Sequence, residues 1–470
     1  MSSISSSLEK NKEHHEILKR AGDIAKKQNL ACYLVGGYVR DTLLNLETSD
    51  IDLMVVGDGI KFARLLSKSL KTNKVIEFKE FGTAIIPYES IEIEVASART
   101  ETYSEDSRNP KVSFSSFEND MSRRDFTVNA IAASILPESY GKIYDPFGGI
   151  KDLQKGLLIT PLDPDSTFKD DPLRMLRAIR FSSQLNFNIA PNLIDSISRN
   201  KNRIEIISWE RITNEIIKIL KTKKPSHGFY LLRDTGLLNI ILPEFSIMGG
   251  IEIINNMSHK DVFVHTLQVI DNTAELTEKM EVRFSALVHD IAKPQTKKFY
   301  KNKGWTYHGH EIVGINLMKK LGKRMKLSNE LTDYLCMMIK LHLRPISLAK
   351  KGVTDSAVRR VMVEAGEYID DLMILCRADI TTKNPKKIKK YLNNFKKVEE
   401  MVGDVKLRDE FRAFQSPVRG DVIMKTLKLK PGRAVGEIKE AIENAILDGI
   451  IDNDYDAAYQ YMLTIKTSKK

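Results

Sequence analysis

Cys32-Tyr-Leu-Val-Gly-Gly-Tyr-Val-Arg-Asp-Thr-Leu-Leu44, followed by Ser49-Asp-Ile-Asp-Leu-Met-Val-Val56, is the stretch that decides the fold. Cys32 to Val35 is a short apolar run, Gly36-Gly37 breaks it, and Tyr38 to Leu44 has helical composition. Ser49 to Val56 and Glu92-Ile-Glu-Val-Ala96 have strand composition. Strand, helix and strand in that order predict a small α/β domain reaching to about residue 135. Working outward, the first thirty residues read as a polar helix. Thr102 to Asn119, polar, Ser-rich and carrying Asn109-Pro110, reads as a mobile loop. From Asp171 onward a helical period takes over: Leu173, Leu176, Ile179 and Phe181 fill one stripe, Arg211 to Leu220 repeats it, and strands scarcely return. Ile241 to Gly250 reads as a junction, Lys386 to Lys397 as a lysine-rich run, and a tail begins near Val418.

Asp50 and Asp52 are the sharpest chemical signal. Residues two apart on a strand share a face, so both carboxylates emerge side by side while Ile51 and Leu53 point to the core. Like charges that close repel unless a cation lies between them, and a hard, oxygen-seeking ion such as Mg²⁺ suits the site. A lone pair of this kind is more often two solvated acids; its surroundings argue otherwise here. The Gly36-Gly37 turn lets a phosphate approach backbone N–H groups at a helix start, and Arg40 lies one turn inside that helix. Phosphoryl transfer needs a phosphate cradle followed by a metal-binding strand. A third carboxylate is expected on the next apolar strand, Glu94 by preference, with Glu92 competing on the same face.

Composition limits the classes. The 470 residues allow two to four domains, and 42% hydrophobic with 29% charged residues excludes wholesale disorder. No apolar run is long enough to span a bilayer, and the N-terminus lacks a charged-then-apolar leader pattern, so a cytoplasmic location is expected. Three cysteines without CxxC spacing argue against a disulfide framework and a cysteine zinc site. A net charge of +11 favours an acidic partner.

Five stretches carry a family resemblance. Leu34-Val-Gly-Gly-Tyr-Val-Arg-Asp41 with Asp50-Ile-Asp52 resembles the opening motif of class II nucleotidyltransferases, the group of bacterial CCA-adding enzymes and poly(A) polymerases. Arg123-Arg-Asp-Phe-Thr-Val-Asn-Ala130 resembles their ribose- and phosphate-recognising motif, which implies roles for Arg124 and Asp125. Asp145-Pro-Phe-Gly-Gly-Ile-Lys-Asp152 resembles the hinge between head and neck. Asp170-Asp-Pro-Leu-Arg-Met-Leu-Arg-Ala-Ile-Arg-Phe181 resembles the nucleotide-selecting motif, and Trp209-Glu-Arg-Ile-Thr-Asn-Glu215 the helix that braces it. The resemblance implies an α+β fold: a mixed-sheet nucleotidyltransferase head over residues 1–150, then a mainly helical neck (151–245), body (246–400) and tail (401–470). It implies template-independent addition of CMP and AMP from CTP and ATP to a tRNA 3′ end, with tRNA as partner and no membrane.

Asp171 and Arg174, three apart at a helix start, fit the selecting step. Cytosine and adenine each present an amino donor beside a ring-nitrogen acceptor, so a carboxylate can accept from the amine while a guanidinium donates to the ring. Guanine and uracil set a carbonyl against the carboxylate, a mismatch worth about 1–3 kcal/mol. Asp171 before Pro172 is equally a good helix cap, and both roles can hold. The resemblance assigns Arg177 and Arg180 to the triphosphate. Asp170 departs from the glutamate usual in the family, which bears on how Arg174 is held.

Six of the nine histidines lie between His259 and His342. Val288-His-Asp-Ile-Ala-Lys-Pro294 resembles the HD signature, in which adjacent His289 and Asp290 bind a divalent metal. The family pattern adds His265 upstream and Asp379 downstream, while His310 and His342 sit where some HD domains place further ligands. Imidazoles and carboxylates suit Mn²⁺, Ni²⁺, Fe or Mg²⁺ alike. Buried histidines satisfying helix contacts are the structural alternative.

The tail motifs Ser416-Pro-Val-Arg-Gly-Asp421 and Leu429-Lys-Pro-Gly-Arg-Ala-Val-Gly436 resemble the C-terminal part of CCA-adding enzymes, although a turn and a capped helix also explain them. The nearest rival is a poly(A) polymerase or an enzyme adding only CC or A. Phe81-Gly-Thr-Ala-Ile-Ile86 stands where the bacterial poly(A) polymerases carry an arginine-rich motif. A rival of another class is a metal-dependent HD phosphohydrolase whose head only binds RNA.

Overall fold

The computed structural model describes residues 3–48, 50–72, 74–104, 107–348, 354–382, 384–408 and 416–465. The chain divides into two compact units, Met1–Ser246 and Ile247–Lys470.

The first unit is built on a seven-stranded sheet. Its strands are β1 (Ala31–Val35), β2 (Ile51–Val56), β3 (Ile76–Phe78), β4 (Thr83–Tyr88), β5 (Ile91–Ser97), β8 (Ala132–Ser134) and β9 (Ile143–Tyr144); β6 (Arg99–Ser104) and β7 (Ser107–Phe114) form a separate ribbon. The order is β3-β4-β5-β2-β1-β8-β9, with β2 and β5 the one parallel pair. Ile51, Leu53, Val55, Ile93 and Val95 supply its buried face. Helix Lys12–Lys27 is amphipathic rather than simply polar: Ile17, Leu18, Ala21 and Ala25 pack on the sheet. Gly22 permits that approach, because a Cβ there would stand 2.0 Å from the Ile135 carbonyl oxygen. Helix Gly59–Ser69 adds Phe62, Ala63 and Leu66 to the same core.

Thr102–Asn119 is not a loop. Strands β6 (Arg99–Ser104) and β7 (Ser107–Phe114) pair antiparallel, and helix Phe117–Ser122 follows with Ser116 as its cap. Asn109-Pro110 lies within β7, where a two-stranded ribbon tolerates proline. Residues 105 and 106 fall outside the described residues. Beyond the sheet, helices Pro164–Asp170, Leu173–Leu185, Trp209–Leu220 and Pro225–Asp234 continue the unit.

The second unit is mainly helical, but strands do return. Two ribbons, Ile253–Ile254 with Met257–Ser258 and Lys298–Tyr300 with Gly304–Thr306, dock through Trp305 Nε1, which donates to the Met257 carbonyl at 3.0 Å. Toward the C-terminus, helices Gly420–Leu427, Arg433–Leu447 and Tyr455–Thr464 enclose their own apolar cluster of Ile423, Ile438, Ile442 and Met462. The architecture is α+β. Among the described residues no helix is long and apolar enough to cross a membrane.

Candidate active site and candidate metal centre

The carboxyl end of β1 and the start of β2 open onto a cleft of about 900 Å³ in the first unit. Gly36 there has φ +70, a conformation that L side chains rarely adopt, and a Cβ would meet the Arg124 guanidinium at 3.3 Å and the Asp52 carboxylate at 3.4 Å. Glycine at this position lets the Arg124 and Asp52 side chains close on the turn. Asp50 immediately precedes β2, Asp52 lies within it, and the parallel register sets Asp52 opposite Glu94. All three carboxylates line the cleft; Glu92 is not among the lining residues. Burial first, then Glu94 and Asp50, push the Asp52 carboxyl up to about 6 against the opposing charges of Arg124 and Arg40. Hard oxygens clustered around a carboxyl whose ionisation is disfavoured suit a divalent cation.

Arginines form the facing wall, each already held. Arg40 donates to both oxygens of Asp41 at 2.8 Å and to Asn129 Oδ1 at 2.7 Å. Asn129 donates to Asp125 at 2.9 Å, and Arg177 meets the other Asp125 oxygen at 2.6 Å. Burial opposes ionisation of Asp125, yet Arg177 and Asn129 hold it down at about 2. Buried Asp120 pairs with Arg123 at 2.7 Å and Arg124 at 3.2 Å. Arg180, expected at the triphosphate, lines the cleft but pairs with buried Glu215 at 2.6 Å.

Asp171 lies between two helices, not within one. Its Oδ1 accepts from the Leu173 N–H at 3.1 Å, and its Oδ2 accepts from Arg211 at 3.0 Å. Arg174, in helix Leu173–Leu185, donates to the Arg123 carbonyl at 2.6 Å. Both line the cleft. Asp170 ends the preceding helix in an exposed position, and the carbonyls that hold Arg174 belong to Arg123 and Thr167. Sequence reasoning gave Arg211, Glu215 and Asp120 no role. Arg211 and Glu215 stand four apart on the bracing helix Trp209–Leu220, and that spacing was the available signal.

In the second unit the histidine cluster assembles from helix ends. His265 lies on helix Val262–Leu276, His289 and Asp290 follow Met280–Val288, His310 opens His310–Arg324, His342 follows Asn329–Leu341, and Asp379 follows Ile369–Ala378. His265, His289 and Asp379 form one group with ligating atoms within 4.8 Å; Asp290, His310 and His342 form a second. Asp290 links them, with Oδ2 3.1 Å from His289 Nε2 and Oδ1 3.4 Å from His310 Nε2. Lys293 Nζ approaches Oδ2 to 2.5 Å. These contacts are short, yet neither Asp290 oxygen nor His289 Nε2 has a partner with hydrogen-bond geometry.

The outer nitrogens fix the rings. Nδ1 of His289, His310 and His342 faces the carbonyls of Ala286, Tyr307 and Ile339 at 2.7–2.8 Å. A carbonyl only accepts, so Nδ1 carries a proton and Nε2, turned inward, is the ring position left to bind a metal cation. His310 Nε2 faces His342 Nε2 at 3.2 Å, a pair of ring nitrogens that a shared proton or a metal cation can join. Burial lowers His342 to about 4, whereas Asp290 and Asp379, overcoming burial, raise His265 to about 8. The donor set fits a divalent transition metal. A cavity of about 800 Å³ adjoins it, lined by His265, Asp379, Trp305, Tyr307 and four lysines, Lys260, Lys293, Lys303 and Lys387.

Three segments match known families: residues 32–159 the Poly A polymerase head domain, 186–248 the probable RNA and SrmB-binding site of polymerase A, and 262–384 the HD domain. The multifunctional CCA protein of Nitrosospira multiformis is 33% identical over 339 residues, covering 67% of this chain and 76% of the relative. That of Tolumonas auensis is 32% identical over 369 residues, covering 74% and 83%. Among solved structures, the Bacillus stearothermophilus CCA-adding enzyme in complex with CTP is 22% identical with a TM-score of 0.67, covering 95% of each chain. At that identity the likeness is one of fold.

Proposed function

The chain belongs to the family of the multifunctional CCA proteins, and from that premise we propose that it adds CMP and AMP from CTP and ATP to the tRNA 3′ end without a template. The observation that carries the reading is the single cleft holding the Asp50, Asp52 and Glu94 carboxylates opposite Asp171 and Arg174. The nucleotidyltransferase and HD families depend on divalent metals; at the head we assign Mg²⁺, held by Asp50, Asp52 and Glu94. When bound, the metal supplies positive charge for the attacking and leaving oxygens. The terminal RNA 3′-hydroxyl attacks the α-phosphorus, a new P–O bond forms, the bond to the β-phosphate oxygen breaks, and pyrophosphate leaves. Gly36 and Gly37 admit the phosphates, while Arg40, Arg124, Arg177 and Arg180 balance their charge, with Asp125 holding Arg177. Arg174 donates to the ring nitrogen of cytosine or adenine, and Asp171 accepts from the amine.

The work divides along the chain as head (1–150), nucleotide-selecting neck (151–245), HD body (246–400) and RNA-contacting tail (401–470), in a cytoplasmic protein. Incubating purified protein with tRNAs ending before, within and after CCA, and each of the four triphosphates, tests the reading. Stepwise addition of C, C and A with no further growth is expected. Continued A addition would replace the reading with a poly(A) polymerase, and arrest after CC or addition of A alone with a partial enzyme.

The buried Asp290 oxygens and His289 Nε2, close to other ligand atoms yet without hydrogen-bond geometry, favour a second activity beside the first. His265, His289, Asp290 and Asp379 hold a divalent metal for phosphoester hydrolysis, with His310 and His342 completing the set. Phosphatase release that depends on added metal and is absent from a His289→Ala variant tests it.

A further inference from the structure

We propose that Phe181 is a positioning residue whose ring gathers Arg40, Arg177 and Arg180 into one triphosphate-binding array. The inference rests on the reading of the cleft as a nucleotide site and adds to it a side chain with no polar atom. Three guanidinium carbons surround this one ring, Arg180 at 3.8 Å from the centroid, Arg40 at 4.9 Å and Arg177 at 5.4 Å. They come from two elements: Arg177 and Arg180 share helix Leu173–Leu185 with Phe181, and Arg40 belongs to helix Gly37–Leu43.

Each cation also pairs with a carboxylate, Asp41 for Arg40, Asp125 for Arg177 and Glu215 for Arg180. The carboxylates sit on separate elements; Asp125 links Arg177 directly and Arg40 through Asn129, and among the described contacts none bonds all three cations. The negative face of an aromatic ring is the shared attractor that draws them together. Phe181 is 5% exposed and fixed edge-on by Phe126, with centroids 5.8 Å apart at 84°. Burial, with the nearby charge of Arg177, lowers the proton affinity of Arg180 in spite of Glu215, whereas Asp125 and Glu215 raise that of Arg177 against burial. The ring keeps the three guanidinium groups side by side on the cleft wall, where a triphosphate can reach all of them.

A packing role and a π role separate when shape is held constant. Placing phenylalanines with increasing fluorination at position 181 weakens the negative ring face with little change of volume. Affinity for magnesium ATP, measured without RNA, should fall stepwise along the series, roughly tenfold in all. Phe181→Leu should raise KM for CTP and ATP by a similar factor with kcat less affected, and Phe181→Tyr should restore KM. Equal affinity across the fluorinated series would overturn the inference, as would equal loss in the Leu and Tyr variants. Failure of the unsubstituted protein to bind magnesium ATP would instead remove the reading of the cleft on which it rests.

Discussion

Replacing Asp52 by Asn should make the head more stable while removing its activity. Burial, Glu94 and Asp50 raise the Asp52 carboxyl from the ordinary 3.8 to about 6. A group whose folded value lies above its unfolded one favours folding fully below about pH 4 and loses that contribution as pH rises through 6. At pH 7.5 the ionised carboxylate therefore disfavours the folded head by about 3 kcal/mol, at 1.36 kcal/mol per decade. Asn keeps the shape and discards the charge. With a chelator present, Asp52→Asn should melt higher than the parent at pH 7.5, by roughly 2–4 °C for each kcal/mol gained. The advantage should shrink near pH 5, where the parent carboxyl is largely protonated. Added Mg²⁺ should raise the melting temperature of the parent by mass action and leave the variant where it was. Nucleotide addition by the variant should be lost. A variant that melts no higher than the parent at pH 7.5 would refute the argument that these carboxylates are held together against repulsion. An advantage that persists unchanged at pH 5 would do the same, because it would not come from charge.

Asp171→Ala should relax the exclusion of UTP and GTP and cost CTP and ATP together about 1–3 kcal/mol; single-nucleotide incorporation of all four triphosphates measures it, and an unchanged preference would leave Asp171 only its cap and its pairing with Arg211. His289→Ala combined with Asp290→Ala should strip metal from the second unit yet spare nucleotide addition. Metal analysis with an addition assay decides this, and lost addition in a folded variant would contradict it. Glu215→Gln should lower the melting temperature of the first unit by the equivalent of about 3–5 kcal/mol, since it leaves Arg180 buried without its countercharge; a loss below 1 kcal/mol would mean that Arg180 turns to solvent.

How much was legible depended on the range of each interaction. Asp50, Asp52 and the Gly36-Gly37 turn could be read because they lie within one strand–helix–strand unit and obey its periods. That Glu94 stands opposite Asp52 could not, because β3 and β4 intervene in the chain and only the sheet order brings β5 beside β2. The β6–β7 ribbon escaped since its residues are polar and it belongs to no buried sheet, so no alternation marks it. The ribbons at Ile253 and Lys298 escaped for their length of two or three residues. His289-Asp290 was legible as a local pair. The division of six ligand candidates between two groups linked by Asp290 was not, because it is set by where five helices end.

On the proposed reading, the partners of Asp171 and Arg174 explain why two side chains can serve both bases. Arg174 is buried and anchored on the Arg123 carbonyl, a partner that cannot move away without the backbone. Its guanidinium is thus a fixed donor, and a fixed donor discriminates because a misplaced acceptor gains nothing from it. Asp171 is different. Its bond to Arg211 joins a carboxylate 19% exposed to a guanidinium 41% exposed, and a pair that wet is worth about 0–1 kcal/mol. An incoming amine can displace Arg211 at little cost, whereas a uracil or guanine carbonyl brings an acceptor that cannot replace what Arg211 gave. Exclusion then follows from an exchange that only C and A complete. Arg211→Ala, by removing the competitor, should strengthen CTP and ATP binding slightly while leaving G and U excluded. A variant that accepted all four bases would show that Arg211 orients Asp171 instead of competing for it.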